Sequence, residues 1–219
     1  MEQIQYFKDV YSKIWVYQTK NYGYEEYVQR VVQMIGQSSP QRVFEVGIGT
    51  GWPIGAALKE KGIMVDGCDV ADNLVAAAQK ELGNPDGIWC GEVSEYRGDI
   101  LYDVTYCVRT SWCIPNFYFT LKKMISMTKL GGYVVFDVMD KNSPYCLKHG
   151  MTGMRERYYK FLGIDVDERY KENYISIPGM KRFLKKAGMT YQYWGEREIT
   201  GNRDKYNTPK VVFMCRKEG

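Results

Sequence analysis

Between Arg42 and Val138 the chain switches repeatedly between two hydrophobic periods, and that alternation restricts its fold more than any other feature. Val43, Phe44, Val46 and Ile48 form a short, nearly continuous apolar run, which suits a parallel strand buried on both faces. Glycines follow, then a helix from Pro53 to Lys61. A second strand is expected over Ile63 to Cys68 and an alanine-rich helix over Asn73 to Leu82. Ile88 to Cys90 reads as a third short strand and Tyr102 to Val108 as a fourth. A helix from about Phe117 to Thr128 leads through Leu130-Gly131-Gly132 into a fifth strand, Tyr133 to Val138. Strand and helix in strict alternation predict an α/β protein with a doubly wound parallel sheet.

The flanks depart from this rhythm. In residues 1–36, Ile4, Phe7, Tyr11, Ile14 and Trp15 recur at spacings of three and four, as do Tyr27, Val28, Val31, Val32 and Ile35. Both sets predict helices, stopped by Gly36 and Pro40. Residues 140–172 carry Pro144, Gly150, Gly153 and Gly163 and no clean period; a connection this long is usually functional. A helix (Ile177 to Ala187), a strand (Thr190 to Ile199), a polar turn and a last strand (Lys210 to Arg216) follow. The final two strands read as an antiparallel pair. The expected fold is a mostly parallel seven-stranded sheet with an antiparallel C-terminal strand, N-terminal helices and a lid insert. It forms a single domain over 1–219: a helical lid (1–39), a cofactor-binding half (40–139), a substrate-side insert (140–172) and a C-terminal helix with strands (173–219).

Composition narrows the class. The 219 residues are 45% hydrophobic and 26% charged, which excludes a disordered chain. A net charge of +4 does not by itself mark a nucleic-acid binder. The six cysteines include no C-x-x-C pair, so reduced core thiols are expected rather than a zinc ribbon or a redox motif. The N-terminus lacks an apolar signal region and no run approaches the length of a spanning helix. A cytoplasmic protein with no membrane partner is expected.

The segment Glu45-Val46-Gly47-Ile48-Gly49-Thr50-Gly51 ends the first strand and precedes a helix. Glycines let the backbone turn sharply and let a ligand approach closely. A nicotinamide fingerprint would place a small residue where Trp52 stands, and a Walker loop would need Gly-Lys-Ser/Thr. Asp69, at the tip of the second strand, is placed to accept hydrogen bonds from both hydroxyls of a ribose. A bare strand–helix turn and a solvated helix cap are the structural alternatives for these two features.

Taken together, these residues resemble the class I S-adenosylmethionine-dependent methyltransferases. Glu45 to Gly51 is similar to that family's acidic-x-Gly-x-Gly-x-Gly motif, and Asp69 to its ribose-binding acid. Gly91-Glu92-Val93 resembles its Gly-Asp-Ala segment, Tyr102-Asp103-Val104 its fourth-strand opening, and Leu130-Gly131-Gly132 its Pro-Gly-Gly turn. The resemblance covers residues 42–139 and 175–216. It departs from the pattern at Glu92, where Asp is commoner, and at Trp52-Pro53, where smaller residues are usual. It implies S-adenosyl-L-methionine as cofactor, held by Glu45, Gly47, Gly49, Thr50, Gly51, Asp69, Val70, Glu92, Val93 and Arg109. It also implies methyl transfer to an acceptor.

In an open α/β sheet, the acceptor-side candidates lie past the carboxyl ends of strands four and five. Trp112 is a candidate wall of the methyl pocket or a core residue. Arg109 is a candidate anion binder or a structural ion-pair partner. His149, the single histidine, is the candidate general base for a hydroxyl acceptor. Within residues 141–160, Lys141, Lys148, Arg155, Arg157 and Lys160 stand against Glu156 alone, so this stretch could form a cationic flap, with Arg155 and Tyr158 at the substrate. A solvated surface is the plain alternative. No metal site is identifiable. The expected reaction is O- or N-methylation of a small, anionic or hydroxylated metabolite. An RNA or protein methyltransferase and a non-catalytic cofactor-binding relative are the competing readings. The sequence is silent on oligomeric state.

Overall fold

A computed structural model describes residues 2–19, 25–148, 173–195, 198–199 and 210–219. Its strands are β1 (Arg42–Val46), β2 (Met64–Asp69), β3 (Ile88–Cys90), β4 (Tyr102–Cys107), β5 (Thr128–Asp140), β6 (Tyr174–Ile175), β7 (Met189–Gly195) and β8 (Lys210–Lys217). They form one sheet in the order β3-β2-β1-β4-β5-β8-β7, with β6 pairing β5. The pairs β1–β2, β1–β4, β2–β3 and β4–β5 are parallel; β8 runs antiparallel to both β5 and β7. The mostly parallel sheet with one reversed C-terminal strand therefore forms as expected. The two-residue strand β6 is an addition, at the close of the aperiodic insert.

The helices are α1 (Glu2–Tyr6), a π-helical turn (Phe7–Tyr11), α2 (Ser12–Thr19), α3 (Glu25–Gly36), α4 (Ile54–Glu60), α5 (Asp72–Leu82), α6 (Phe117–Met127), α7 (Pro144–Lys148) and α8 (Ile177–Lys186). Their boundaries have local causes. Asn116 caps α6 by accepting the Phe119 N–H, and Ser176 caps α8 by accepting the Gly179 N–H. Gly83 ends α5 at φ +66, a left-handed stop.

Side chains alternate across the sheet. Val43, Val65, Val104 and Val135 face one core with Tyr27, Val31 and Ile35 of α3 and with Leu58 and Ala78 of α4 and α5. Phe44, Val134, Phe136 and Phe213 face the other, with Leu121 of α6 and Leu184 of α8. Phe136 and Phe213, paired across β5 and β8, stack at 5.2 Å. A third, smaller cluster joins Tyr6, Phe7 and Tyr11 to Trp112 and Met139.

Two expectations change. The strand expected over Thr190 to Ile199 ends at Gly195, and Glu198 and Ile199 are helical. Gly195, opposite Val211, forms the last pair of the β7–β8 ladder, and its N–H is accepted by the Glu198 carboxylate at 2.7 Å. The fifth strand starts earlier than Tyr133, because Tyr102 pairs with Thr128 before a register shift around Gly131. Among the described residues no helix is long and apolar enough to cross a membrane.

Candidate active site

Strand order reverses between β1 and β4, the place where a doubly wound sheet opens a crevice at its carboxyl edge. The loops leaving β1, β2, β3 and β4 converge there on a cavity of about 400 Å³. Small-ligand sites span about 300–1,000 Å³.

The glycine loop forms the floor. Gly47 and Ile48 donate their N–H groups to the Cys68 carbonyl at 2.8 and 3.0 Å, tying this turn to the end of β2. Gly47, Gly49 and Gly51 have φ of +74°, +57° and +78°, which side-chain-bearing residues adopt only under strain. A Cβ on Gly47 would collide with the Thr110 side chain, and one on Gly49 would lie 2.9 Å from Trp15 Nε1.

Asp69 ends β2 and lines the cavity. Its Oδ2 accepts the Gly49 N–H at 3.0 Å and its Oδ1 the Ala71 N–H at 3.1 Å. Each carboxylate oxygen still has a second lone pair for a ligand donor. Burial raises the Asp69 pKa, and the amides of Ala71, Gly49 and Val70 oppose the rise. Glu45, at the end of β1, is buried and accepts the Tyr106 hydroxyl at 2.8 Å. Burial pushes its carboxyl up to about 8; the Tyr106 bond pulls down and the neighbouring Asp69 charge adds to the rise. After β3, the exposed Glu92 opens a single 3-10 turn, Val93–Glu95, and its N–H is accepted by Glu95 Oε2 at 3.3 Å. Both Glu92 and the buried Val93 line the cavity.

The wall after β4 is held from behind. Arg109 sits at φ +65°, and its N–H donates to both carboxylate oxygens of Asp137 at 2.9 Å. The buried Asp137 on β5 also accepts Tyr27 OH at 3.0 Å and Ser111 Oγ at 3.3 Å. The Arg109 guanidinium lies 5.1 Å above the Tyr27 ring. Thr110 Oγ1 donates to the Gly47 carbonyl at 3.3 Å, and Trp112 Nε1 to the Arg109 carbonyl at 2.5 Å. Wall and floor are therefore one connected piece.

The same architecture recurs widely among solved structures. A Thermotoga maritima S-adenosylmethionine-dependent methyltransferase, described as a possible histamine N-methyltransferase, superposes with a TM-score of 0.67 at 16% identity, covering 99% of this chain and 100% of that one. A plantazolicin methyltransferase in complex with a substrate analogue and S-adenosylhomocysteine gives 0.71 at 13% identity, with 100% and 96% covered. The magnesium protoporphyrin IX methyltransferase of Synechocystis PCC 6803, with bound S-adenosylhomocysteine, gives 0.68 at 14% identity, with 100% of both chains covered. The chain has the class I S-adenosylmethionine-dependent methyltransferase fold. No protein-family model and no curated protein sequence matches it.

Within this methyltransferase fold, Glu45, Gly47, Gly49, Gly51, Asp69, Val70, Glu92, Val93 and Arg109 line one cavity. Thr50 does not line it; its Oγ1 is buried and finds no hydrogen-bond partner among the described residues. Trp112 is 4% exposed, packs on Phe7 and Tyr11, and is among the residues that line the cavity. Trp52 stands at the rim, 41% exposed. Asp103 is structural: its Oδ2 accepts the N–H groups of Gln41 and Arg42, and its Oδ1 meets the Lys129 ammonium. His149, Arg155 and Tyr158 lie outside the described residues. Sequence reasoning missed the anchoring by Asp137 and Tyr27, residues 110 positions apart with no local motif. It placed Phe7, Tyr11 and Trp15 on one helical face without showing that this face covers the cavity.

Proposed function

We propose that the protein transfers the methyl group of S-adenosyl-L-methionine to a small-molecule acceptor. The convergence of the glycine loop, Asp69 and the Glu92–Val93 turn on one cavity carries this reading. The lining suits a cationic nucleoside. Among the described lining residues the acidic side chains are Asp69, Glu92 and Glu45, the last kept protonated near neutral pH by its burial, and the basic one is Arg109. Bound S-adenosylmethionine supplies an electrophilic methyl on a sulfonium whose leaving group is neutral.

The chain's residues then hold and orient. Asp69 accepts the ribose hydroxyls, while Val70 and Val93 give the adenine an apolar seat beside Glu92. The Gly47–Gly51 turn, whose glycines leave no Cβ in the way, faces the amino-acid end, and Arg109 closes the β4 side. Holding two reactants in line is a large share of what such a transfer asks of a protein. A base is needed only where the acceptor must lose a proton. His149 is assigned that role, with Trp112, Arg155 and Tyr158 at the acceptor. The acceptor is read as a small hydroxylated, amino or anionic compound met in the cytoplasm; the similar structures named above concern small molecules and a peptide. Methylation of RNA or protein and cofactor binding without turnover are the competing readings.

Isothermal calorimetry with S-adenosylmethionine and S-adenosylhomocysteine tests the reading. Saturable binding, lost in Asp69→Ala, is expected; no heat at millimolar ligand rejects it. Release of S-adenosylhomocysteine across a panel of acceptors then separates turnover from binding alone, and a gel shift with bulk RNA at physiological salt tests the nucleic-acid reading.

A further inference from the structure

The N-terminal residues 2–19 lie across the cavity rather than beside it. Gln3, Ile4, Phe7, Tyr11 and Trp15 form one stripe, at spacings that α1, the π-helical turn and α2 turn to the same side, and all five line the cavity. The stripe reaches both sides of the cleft. At one end Gln3 Nε2 donates to the Cys113 carbonyl, in the wall after β4, at 2.9 Å. In the middle Phe7 and Tyr11 pack edge-on to Trp112 at 6.3 and 6.4 Å, in a cluster that also takes in Val70 beside Asp69. At the other end Trp15 stacks on Tyr11 at 5.9 Å and brings its indole nitrogen against Gly49. The segment touches the β4 loop, the residue after the ribose-binding acid and the middle of the glycine loop: the three surfaces that would hold the nucleoside.

We propose that residues 2–19 are a strap over the cofactor itself, so that bound nucleoside and closed strap stabilise each other and strap opening sets the rate of nucleoside release. The proposal rests on the reading of this cavity as a cofactor site. Its physical basis is that the strap's buried rings pack on the residues that line the cavity. A ligand filling that cavity adds apolar contact under Phe7, Tyr11 and Trp15, and those contacts must be broken before it can leave. By linkage, whatever favours closure raises affinity by the same factor that occupancy raises closure. Lid opening is a common limit on turnover in enzymes built this way.

Two measurements on the full-length protein with S-adenosylhomocysteine as the probe test this. In limited proteolysis, trypsin cuts after Lys8 and Lys13 report strap opening. Saturating S-adenosylhomocysteine is expected to slow those cuts about tenfold or more, the ratio worth one good contact, while cuts elsewhere change little. In stopped-flow displacement, Trp15→Ala and, as a milder change, Gln3→Ala are expected to speed dissociation by about tenfold and about threefold, with the ligand-dependent protection reduced in step. If S-adenosylhomocysteine binds, but Lys8 and Lys13 stay equally cleavable and both variants release it at the wild-type rate, the strap proposal is overturned and the cofactor reading stands. If it does not bind at all, the cofactor reading fails and the strap falls with it.

Discussion

The floor and the roof of the cavity are made of different material. The floor is main chain: Gly47, Gly49 and Gly51 in left-handed conformations, laid against Cys68 and Asp69 by amide hydrogen bonds. The roof is side chain: Phe7, Tyr11 and Trp15 on one helical stripe, packed on Trp112. A surface built from backbone admits only the residue with no Cβ, whereas one built from rings accepts other apolar shapes at modest cost. Floor substitutions should therefore be severe and specific, and roof substitutions graded.

The sharpest test is Gly47→Val. The strain of a left-handed φ on a β-branched residue and the collision with Thr110 together should cost about 3–5 kcal/mol and abolish S-adenosylhomocysteine binding. Urea unfolding and calorimetry measure both. Gly188→Ala is the control: it has φ +68° but nothing within 4 Å of the added Cβ, so only the strain remains, about 1 kcal/mol. Equal losses at the two positions would show that the floor is not special.

This difference in material also decides what the sequence discloses. The floor was legible because Glu45-Val46-Gly47-Ile48-Gly49-Thr50-Gly51 and Asp69 fall within one strand–loop–helix–strand unit, and glycine at a forced φ leaves a local signature. The sheet was legible because parallel strands buried on both faces leave apolar runs such as Val43 to Ile48. The roof was legible only as a helical face. Nothing in the spacing of Phe7, Tyr11 and Trp15 says what that face covers, and the π-helical turn between them has no motif. Asp137 sits inside the apolar run of the fifth strand with no motif around it. Its role depends on Tyr27 and Arg109 arriving from distant segments, and one sequence does not order such pairs in space. β6 escaped because two residues are too short to show a period.

The next largest effect lies beneath the floor, at Glu45. Its folded pKa, about 8, is above the usual 4.5, so the folded protein holds a proton that the unfolded chain has released. Stability should therefore fall as pH rises from about 4.5 to about 8, then level off, with a slope approaching 1.4 kcal/mol per pH unit for one proton. Glu45→Gln removes the titrating group and should flatten that part of the profile. Denaturant titrations at a series of pH values read it directly. An unchanged slope in the variant would assign the loss to another group.

The wall between floor and roof should respond less. Tyr27→Phe leaves Asp137 short of the buried donor it has at 3.0 Å. That should cost about 1–3 kcal/mol in unfolding free energy. It should also weaken S-adenosylhomocysteine binding by severalfold, because Asp137 keeps its bonds to the Arg109 amide and the wall loosens without collapsing. A loss as large as that of Gly47→Val would mean that Asp137, rather than the glycine loop, organises the site.

The smallest effect belongs to the roof. Phe7 is 8% exposed and meets Trp112 and Tyr11 edge-on at 6.3 and 5.2 Å. Phe7→Leu keeps an apolar side chain in the stripe and gives up mainly the ring contacts, worth about 0.5–1.5 kcal/mol. The melting temperature should drop by a few degrees. Binding at equilibrium should weaken by less than tenfold, and the change should appear in the dissociation rate rather than the association rate, because the floor that first receives the nucleoside is intact. Phe7→Asp puts a charge into the same buried cluster and should prise the stripe off Trp112, giving tryptic cleavage after Lys8 with or without ligand. If Phe7→Leu instead abolished binding as Gly47→Val is expected to, the roof would be part of the binding surface proper, and the division between a main-chain floor and a tolerant side-chain roof would be wrong.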